Sequence, residues 1–351
     1  MSGSISRTSA STGMSTGTEP AVILAHADGR DETLSFADIS RESSQFAHYL
    51  AAQGVKAGDR VAVMLEPSRP FYVAIFGAIK LGAIAVPLFT LFGPDGIRLR
   101  VLDCSPKLLV TNAEKAPMAE GIPGRQGRRR QRADFMQALA SQPAAFEATT
   151  RGDDYAIYQY TSGTTRELPE AVKHTHRAIV TLMLAALYGT GLRPGDRFFC
   201  PSSPAWGHGL WHGTLAPLAL GLTIGAFSGK FNAERLLKAL HDHKFTNLSA
   251  AATHYRMMRN CGTASNVLVF SRQAFLHRRA DRQRDCRLCR ADLRPSGLQH
   301  VRHHRDRRDP GQLSGREGFR RQAGVARQAD PRRQGGSAGR ERPRLPARRH
   351  G

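Results

Sequence analysis

Residues 158 to 176 of this 351-residue chain read Tyr-Gln-Tyr-Thr-Ser-Gly-Thr-Thr-Arg-Glu-Leu-Pro-Glu-Ala-Val-Lys-His-Thr-His, its densest run of groups able to do chemistry. Thr161, Ser162, Gly163, Thr164 and Thr165 form a hydroxyl-rich turn between an alternating strand-like run, Tyr155 to Tyr160, and a helical run, Ala178 to Tyr188. Such a turn suits phosphate oxygens. Gly163 lets the backbone come close, successive N–H groups form an anion-binding nest, and the hydroxyls donate to the remaining oxygens. A Walker A loop is excluded, because the Gly-Lys-Ser/Thr ending is absent. Lys173 and His174 follow, either as cations beside the phosphates or as solvated residues at the start of a helix.

The whole string, with its trailing His-Thr-His, resembles the phosphate-binding motif of the adenylate-forming superfamily: acyl-CoA synthetases, luciferases and peptide-synthetase adenylation domains. Two departures stand out. Arg166-Glu167 replaces a single glycine of the motif, and Glu170 stands where a lysine is usual. A carboxylate beside a polyphosphate is repulsive, while Arg166, Lys173, His174 and His176 offer compensating charge. The resemblance covers about Ala21 to Gly262 and is nearest to bacterial medium-chain or aromatic acyl-CoA ligases.

That resemblance implies a reaction. A small-molecule carboxylate attacks the α-phosphorus of ATP, giving acyl-adenylate and pyrophosphate, and the thiol of coenzyme A then displaces AMP. ATP, Mg2+ and coenzyme A are the implied cofactors. The Thr161–Thr165 loop would hold the β- and γ-phosphates, with Lys173 close by. Trp206, Gly207, His208 and Gly209 match the segment that lines the family's acyl pocket, glycines leaving volume and Trp206 and His208 walling it. The alternative for this segment is an aromatic core cluster. Trp211 and His212 read as packing residues, and His254 and Tyr255 follow a strand and would face the adenylate.

The elements that must position these residues alternate. Leu34-Ser-Phe-Ala-Asp-Ile is a strand-to-helix step, and in Val55 to Leu65 the turn at Gly58-Asp59 leads into Val61, Val63 and Leu65 at strand spacing. Phe71 to Leu81 is an apolar helix, Gly82 to Leu88 a short buried strand, and Lys107 to Thr111 a third strand. Asp196 to Pro201 is a strand, the segment from Pro204 opens a helix through Leu220, Glu234 to His241 is an amphipathic helix, and Thr246 to Ala252 is a strand. This rhythm predicts an α/β fold with a parallel-rich sheet. With the resemblance it predicts an incomplete N-terminal domain of the adenylate-forming fold, followed by a disordered tail. The expected organisation is a disordered N-terminus over 1–20, the adenylation domain over 21–262 and a coreless tail over 263–351.

Charge marks that last boundary. The chain carries a net +22 with pI 10.9, which ordinarily points to nucleic acid. From Arg272 to Gly351, however, there are 23 arginines, no lysine and 8 acidic residues, so this stretch alone contributes +15. It shows no hydrophobic period. Read one nucleotide downstream, codons for Gln273 onward permit KLSFTGEPIDSATAAFVERTFG, and those for Gln299 to Arg308 permit SMYGTTEIG. YGTTE is the resembled family's next motif, at the expected distance. The tail thus reads as coding sequence out of frame, and the expected product is an inactive, truncated ligase that lacks the YGTTE glutamate and the family's hinge and C-terminal lysine. A non-specific nucleic-acid-binding protein is the alternative.

The remaining composition predicts a cytoplasmic enzyme with no specific nucleic-acid partner. Residues 1 to 18 are rich in Ser, Thr and Gly without the apolar core of a signal peptide, Met14 is a possible start, and no apolar run reaches membrane-spanning length. Cys104, Cys200 and Cys261 read as isolated buried thiols; Cys286-Arg-Leu-Cys289 has metal-like spacing but lies in the shifted stretch, with no partner pair.

Overall fold

The computed structural model describes residues 17–119, 137–160, 170–262, 273–277 and 300–302, the last two stretches as backbone. The chain divides into two units, Met1–His304 and Arg305–Gly351, and every described residue belongs to the first. Structure is already in place at Gly17, ahead of the expected boundary at Ala21: Phe36 N–H donates to the Glu19 carbonyl and Ala37 N–H to that of Gly17.

Two sheets, not one, carry the fold. A five-stranded sheet runs β5 (Leu108–Thr111), β3 (Arg60–Met64), β4 (Ile84–Pro87), β6 (Tyr155–Tyr160), β7 (Ala171–Thr175). A seven-stranded sheet runs β12 (His300–Arg302), β11 (Gln273–His277), β10 (Asn247–Ala251), β8 (Arg197–Phe199), β9 (Thr223–Ser228), β1 (Pro20–His26), β2 (Asp31–Ser35). Pairing is parallel except for the ribbons β1–β2 and β6–β7. The helices are α1 (Phe36–Ala52), α2 (Arg69–Leu81), α3 (Pro94–Cys104), α4 (Arg177–Ala185), the short α5 (Ala216–Ala219), α6 (Ala233–Asp242) and α7 (Ala252–Asn260).

Burial follows from this layering. Val61 to Met64 are all buried in β3, rather than every second residue, because helices and loops cover both faces of a parallel sheet. Val61 and Val63 face a core shared with α1, α2 and strand β1; Ala62 and Met64 face a separate cluster with Ile97 and Val101 of α3. A third cluster, around Phe199, Phe245, Leu236 and Leu240, covers the outer face of the seven-stranded sheet. The helices α1 and α2 are therefore the filling between the sheets. Helix α1 starts at a capping box in which Ser35 accepts from Asp38 N–H while Asp38 accepts from Ser35 N–H. Helix α2 stops at Gly82, whose φ of 81° is a left-handed cap that other residues enter at a cost.

The arginine-rich stretch contributes β11 and β12, which pair in parallel at the edge of the seven-stranded sheet. Backbone pairing asks only for free N–H and C=O groups, so it is open to a sequence with no apolar period. The segments 120–136, 161–169, 263–272 and 278–299 lie outside the described residues.

Candidate active site

The loop Thr161, Ser162, Gly163, Thr164, Thr165 falls among the residues the structure does not describe, but both its anchors are described. Tyr160 pairs with Ala171 at the end of the antiparallel ribbon β6–β7. A strand, β7, thus stands between the loop and the helix, and α4 begins at Arg177, next to the expected helical run from Ala178. Val172 and Thr175 suit an extended chain, and the partner edge of β6 decides the matter. Lys173 is exposed on β7 opposite Tyr158, its ammonium 5.4 Å from that ring's centre. The alternative that made it a solvated helix-start residue is corrected accordingly.

Tyr160 secures the stem from below. Its hydroxyl donates to the Asp103 carboxylate and lies 3.0 Å from the Arg100 carbonyl, both on α3, and burial together with the Asp103 contact raises its pKa. Gln159 secures it from above. This buried amide accepts from Trp211 Nε1 at 2.6 Å and donates through Nε2 to the Ala205 carbonyl at 3.3 Å. From β7, His174 lays its ring 4.4 Å from the ring of Trp211, and burial lowers its pKa. Both strands of the ribbon therefore grip one indole.

Residues 204 to 215 begin at the end of β8 and turn into a π-helix, His208–Leu215. The wider turn lets Thr214 Oγ1 donate back to the Gly209 carbonyl at 2.9 Å. At Gly209 an added Cβ would lie 2.3 Å from the Ser203 carbonyl oxygen and 2.4 Å from that of Ser202. At Gly213 it would lie 2.8 Å from Cys200 Sγ. These glycines bring the π-helix down onto the Cys200–Ser203 backbone; the space at Gly209 is filled by protein and opens no pocket volume. Gly207 is exposed, and a Cβ added there would meet Gln159 Oε1 and the Trp211 ring at ordinary contact distance.

His208 is buried between two hydroxyls, Nδ1 at 2.9 Å from Ser202 Oγ and Nε2 at 2.9 Å from Ser249 Oγ. A neutral imidazole has one donor and one acceptor, and each serine can complement either. Cys200 Sγ lies 3.6 Å from Nδ1, and burial pushes this thiol up to about 11, so it stays protonated and unreactive at neutral pH. Trp206 is half-buried in a cluster with Phe89 and Phe92, at centroid distances of 5.2 and 6.2 Å. Arg100 caps that cluster, its guanidinium carbon 3.8 Å from the Phe92 ring centre.

The expected residues thus divide. Trp206 and Gly207 lie at the surface next to the loop stem, while His208 and Gly209 form the buried root of the same segment. His254 caps α7, Nδ1 accepting from Ala251 N–H at 3.2 Å, and Tyr255 donates to the Leu248 carbonyl at 3.1 Å. Both serve local structure. Gln159, Ser202 and Ser249 are the groups that sequence reasoning missed; a lone amide in the otherwise apolar and aromatic strand Tyr155–Tyr160 was the available signal. Among the described residues no group of three or more His, Cys, Asp or Glu is placed to hold a metal ion, and no helix is long and apolar enough to cross a membrane.

Comparison with known proteins fits this geometry. The profile of the family described as AMP-binding enzyme matches residues 12–304. The chain is 28% identical over 252 residues to a 3-hydroxybenzoate–CoA/4-hydroxybenzoate–CoA ligase of Thauera aromatica, covering 68% of this chain and 48% of that protein. It is 29% identical over 249 residues to an acetyl-coenzyme A synthetase of Bacillus subtilis, covering 66% and 43% respectively. Among solved structures, an acyl-CoA synthetase of Brucella canis superposes with a TM-score of 0.72 at 27% identity, over 79% of this chain and 53% of that one. The chain thus spans about half the length of the curated relatives it matches. With two parallel-rich sheets and the family profile running from 12 to 304, the chain belongs to the AMP-binding enzymes, the adenylate-forming synthetases and ligases.

Proposed function

We propose that the intact form of this protein is a cytoplasmic acid–thiol ligase, which activates a carboxylate with ATP and passes the acyl group to coenzyme A. The observation that carries the reading is the junction of loop stem and Trp206–Gly209 segment, in a chain matched by the AMP-binding profile over 12–304. Thr161 to Thr165 would donate to the β- and γ-phosphates, with Lys173 supplying charge at the stem. Trp206 and Gly207 would wall the acyl site, and His208 would set the course of that wall from its buried seat. The substrate class is an aromatic or medium-chain carboxylate, since the segment carries no lysine or arginine to hold a second carboxylate and its His208 is already seated between Ser202 and Ser249. The hydroxybenzoate ligase among the relatives supports the aromatic choice.

The groups needed to complete the reaction are not all spelled by this frame. A glutamate in the shifted YGTTE string would bind Mg2+, but here those codons read Val301-Arg-His-His-Arg-Asp306. The chain as given is accordingly inactive on this proposal, and the arginine-rich stretch is no nucleic-acid-binding domain. The test is to sequence the locus, restore the frame between Val267 and Arg272, and measure pyrophosphate release across a carboxylate panel with ATP and coenzyme A. Carboxylate-dependent release is expected from the restored protein alone. In that background Thr164→Ala should cost about 2 to 4 kcal/mol of transition-state stabilisation. No release after restoration would sink the ligase reading, and full activity in the given chain would sink the frame argument.

A further inference from the structure

Gln159 joins the loop ribbon to the 205–211 segment, and its amide uses both ends of the functional group to do so. Its acceptor takes the indole N–H of Trp211 and its donor reaches the Ala205 carbonyl. These two contacts straddle Trp206 to Gly209. Gln159 is 6% exposed and Trp211 also 6%, so neither hydrogen bond competes with water. Two positions further along the chain the proposed phosphate loop begins, and His174 on the paired strand packs against the same indole at a tilt of 57°. A displacement of the ribbon therefore cannot leave the segment in place without breaking a buried hydrogen bond.

We propose that Gln159 is a positioning residue that makes the phosphate-loop stem and the Trp206–Gly209 segment one unit, so that phosphate and acyl sites are held, and lost, together. The inference rests on the assignment of those two sites above. Gln159 itself touches neither substrate; it acts through Trp211 and Ala205. Gln159→Met keeps the length and deletes both hydrogen bonds, while Trp211→Phe keeps a ring for His174 and deletes only the N–H.

In the frame-restored protein, each substitution should raise the KM for ATP and the KM for the carboxylate together, by about tenfold, the size expected when a buried partner is left unsatisfied. The double variant should be no worse than the more affected single one, because both changes delete one linkage. A merely structural role would lower stability without moving the two KM values in parallel. A rise in only one KM, or single effects that multiply, would overturn the proposal. If the restored protein shows no carboxylate-dependent turnover, the ligase reading fails by itself, and hydrogen exchange on the present chain decides the linkage. There Gln159→Met should speed amide exchange in both 171–175 and 205–211 by about tenfold, the scale of one buried hydrogen bond. Unchanged exchange in either stretch would overturn it.

Discussion

Every strand of the five-stranded sheet comes from one stretch, Arg60 to Thr175, whereas the seven-stranded sheet is assembled from both sides of it, with β1 and β2 before and β8 to β12 after. The first sheet contains the loop stem and is finished before the arginine-rich stretch begins. The second takes its two last strands, β11 and β12, from that stretch. The frame change proposed between Val267 and Arg272 would therefore strike one sheet and leave the other whole. The lesson is that an intact loop stem does not require an intact second sheet, because the two sheets draw on different stretches of the chain.

The largest test of this asymmetry is Phe245→Ala. Phe245 is fully buried outside the seven-stranded sheet and meets Phe199 edge-on at 4.9 Å. Removing the ring should cost about 3 to 5 kcal/mol by urea unfolding. Amides of β8 and β10 should exchange faster while those of β3 and β4 keep their protection; equal loosening of both sheets would erase the distinction.

Gly209→Ala comes next, at about 1 to 3 kcal/mol, since the new Cβ must push the π-helix off the Ser202–Ser203 backbone. Thermal unfolding reads the loss, and Trp211 emission should shift with it. A neutral substitution would mean that the π-helix is not seated there.

Ser35→Ala probes the start of the helix pair between the sheets and should cost about 0.5 to 2 kcal/mol. Its effect depends on pH. The Ser35 hydrogen bond, followed by Arg41, holds the Asp38 carboxyl down at about 2, below its ordinary 3.8. A depressed carboxylate contributes stability that is full above the unfolded value and fades as pH falls from 3.8 through about 2. Denaturation followed across that window should show a flatter slope in the variant than in the parent; an equal slope would mean that Asp38 contributes nothing there.

The smallest effect belongs to α4. Val180 and Leu184 are 59% and 55% exposed there. Val180→Lys should change unfolding by no more than about 0.5 kcal/mol, and light scattering should report less self-association as the apolar stripe is broken.

Much of the scaffold was legible because local chemistry writes it. The strand-to-helix step at Leu34, the apolar helix ending at Leu81 and the apolar runs of β3, β4 and β5 stand in the chain as plain patterns, and the structure places elements there. Strands β1, β7 and β9 were missed: β1 and β9 bury successive residues and so show no alternation, and β7 takes its extended form from its pairing with β6. The same limit hid Gln159, whose meaning depends on Trp211 and Ala205, residues distant in sequence.

By itself the sequence determined the α/β class, the phosphate-loop string with its family resemblance, and the place where composition breaks. Only the tertiary structure decided that the strands divide between two sheets and that β1 lies beside β9, in register from Val22↔Ile224 to His26↔Ser228. It alone decided that His208 is a buried bridge between two serines and that both strands of the ribbon hold Trp211. The physical reason is one of range. Periodicity and capping act between neighbours along the chain and say which face is buried, whereas pairing and buried hydrogen bonds join distant residues and say what that face is buried against.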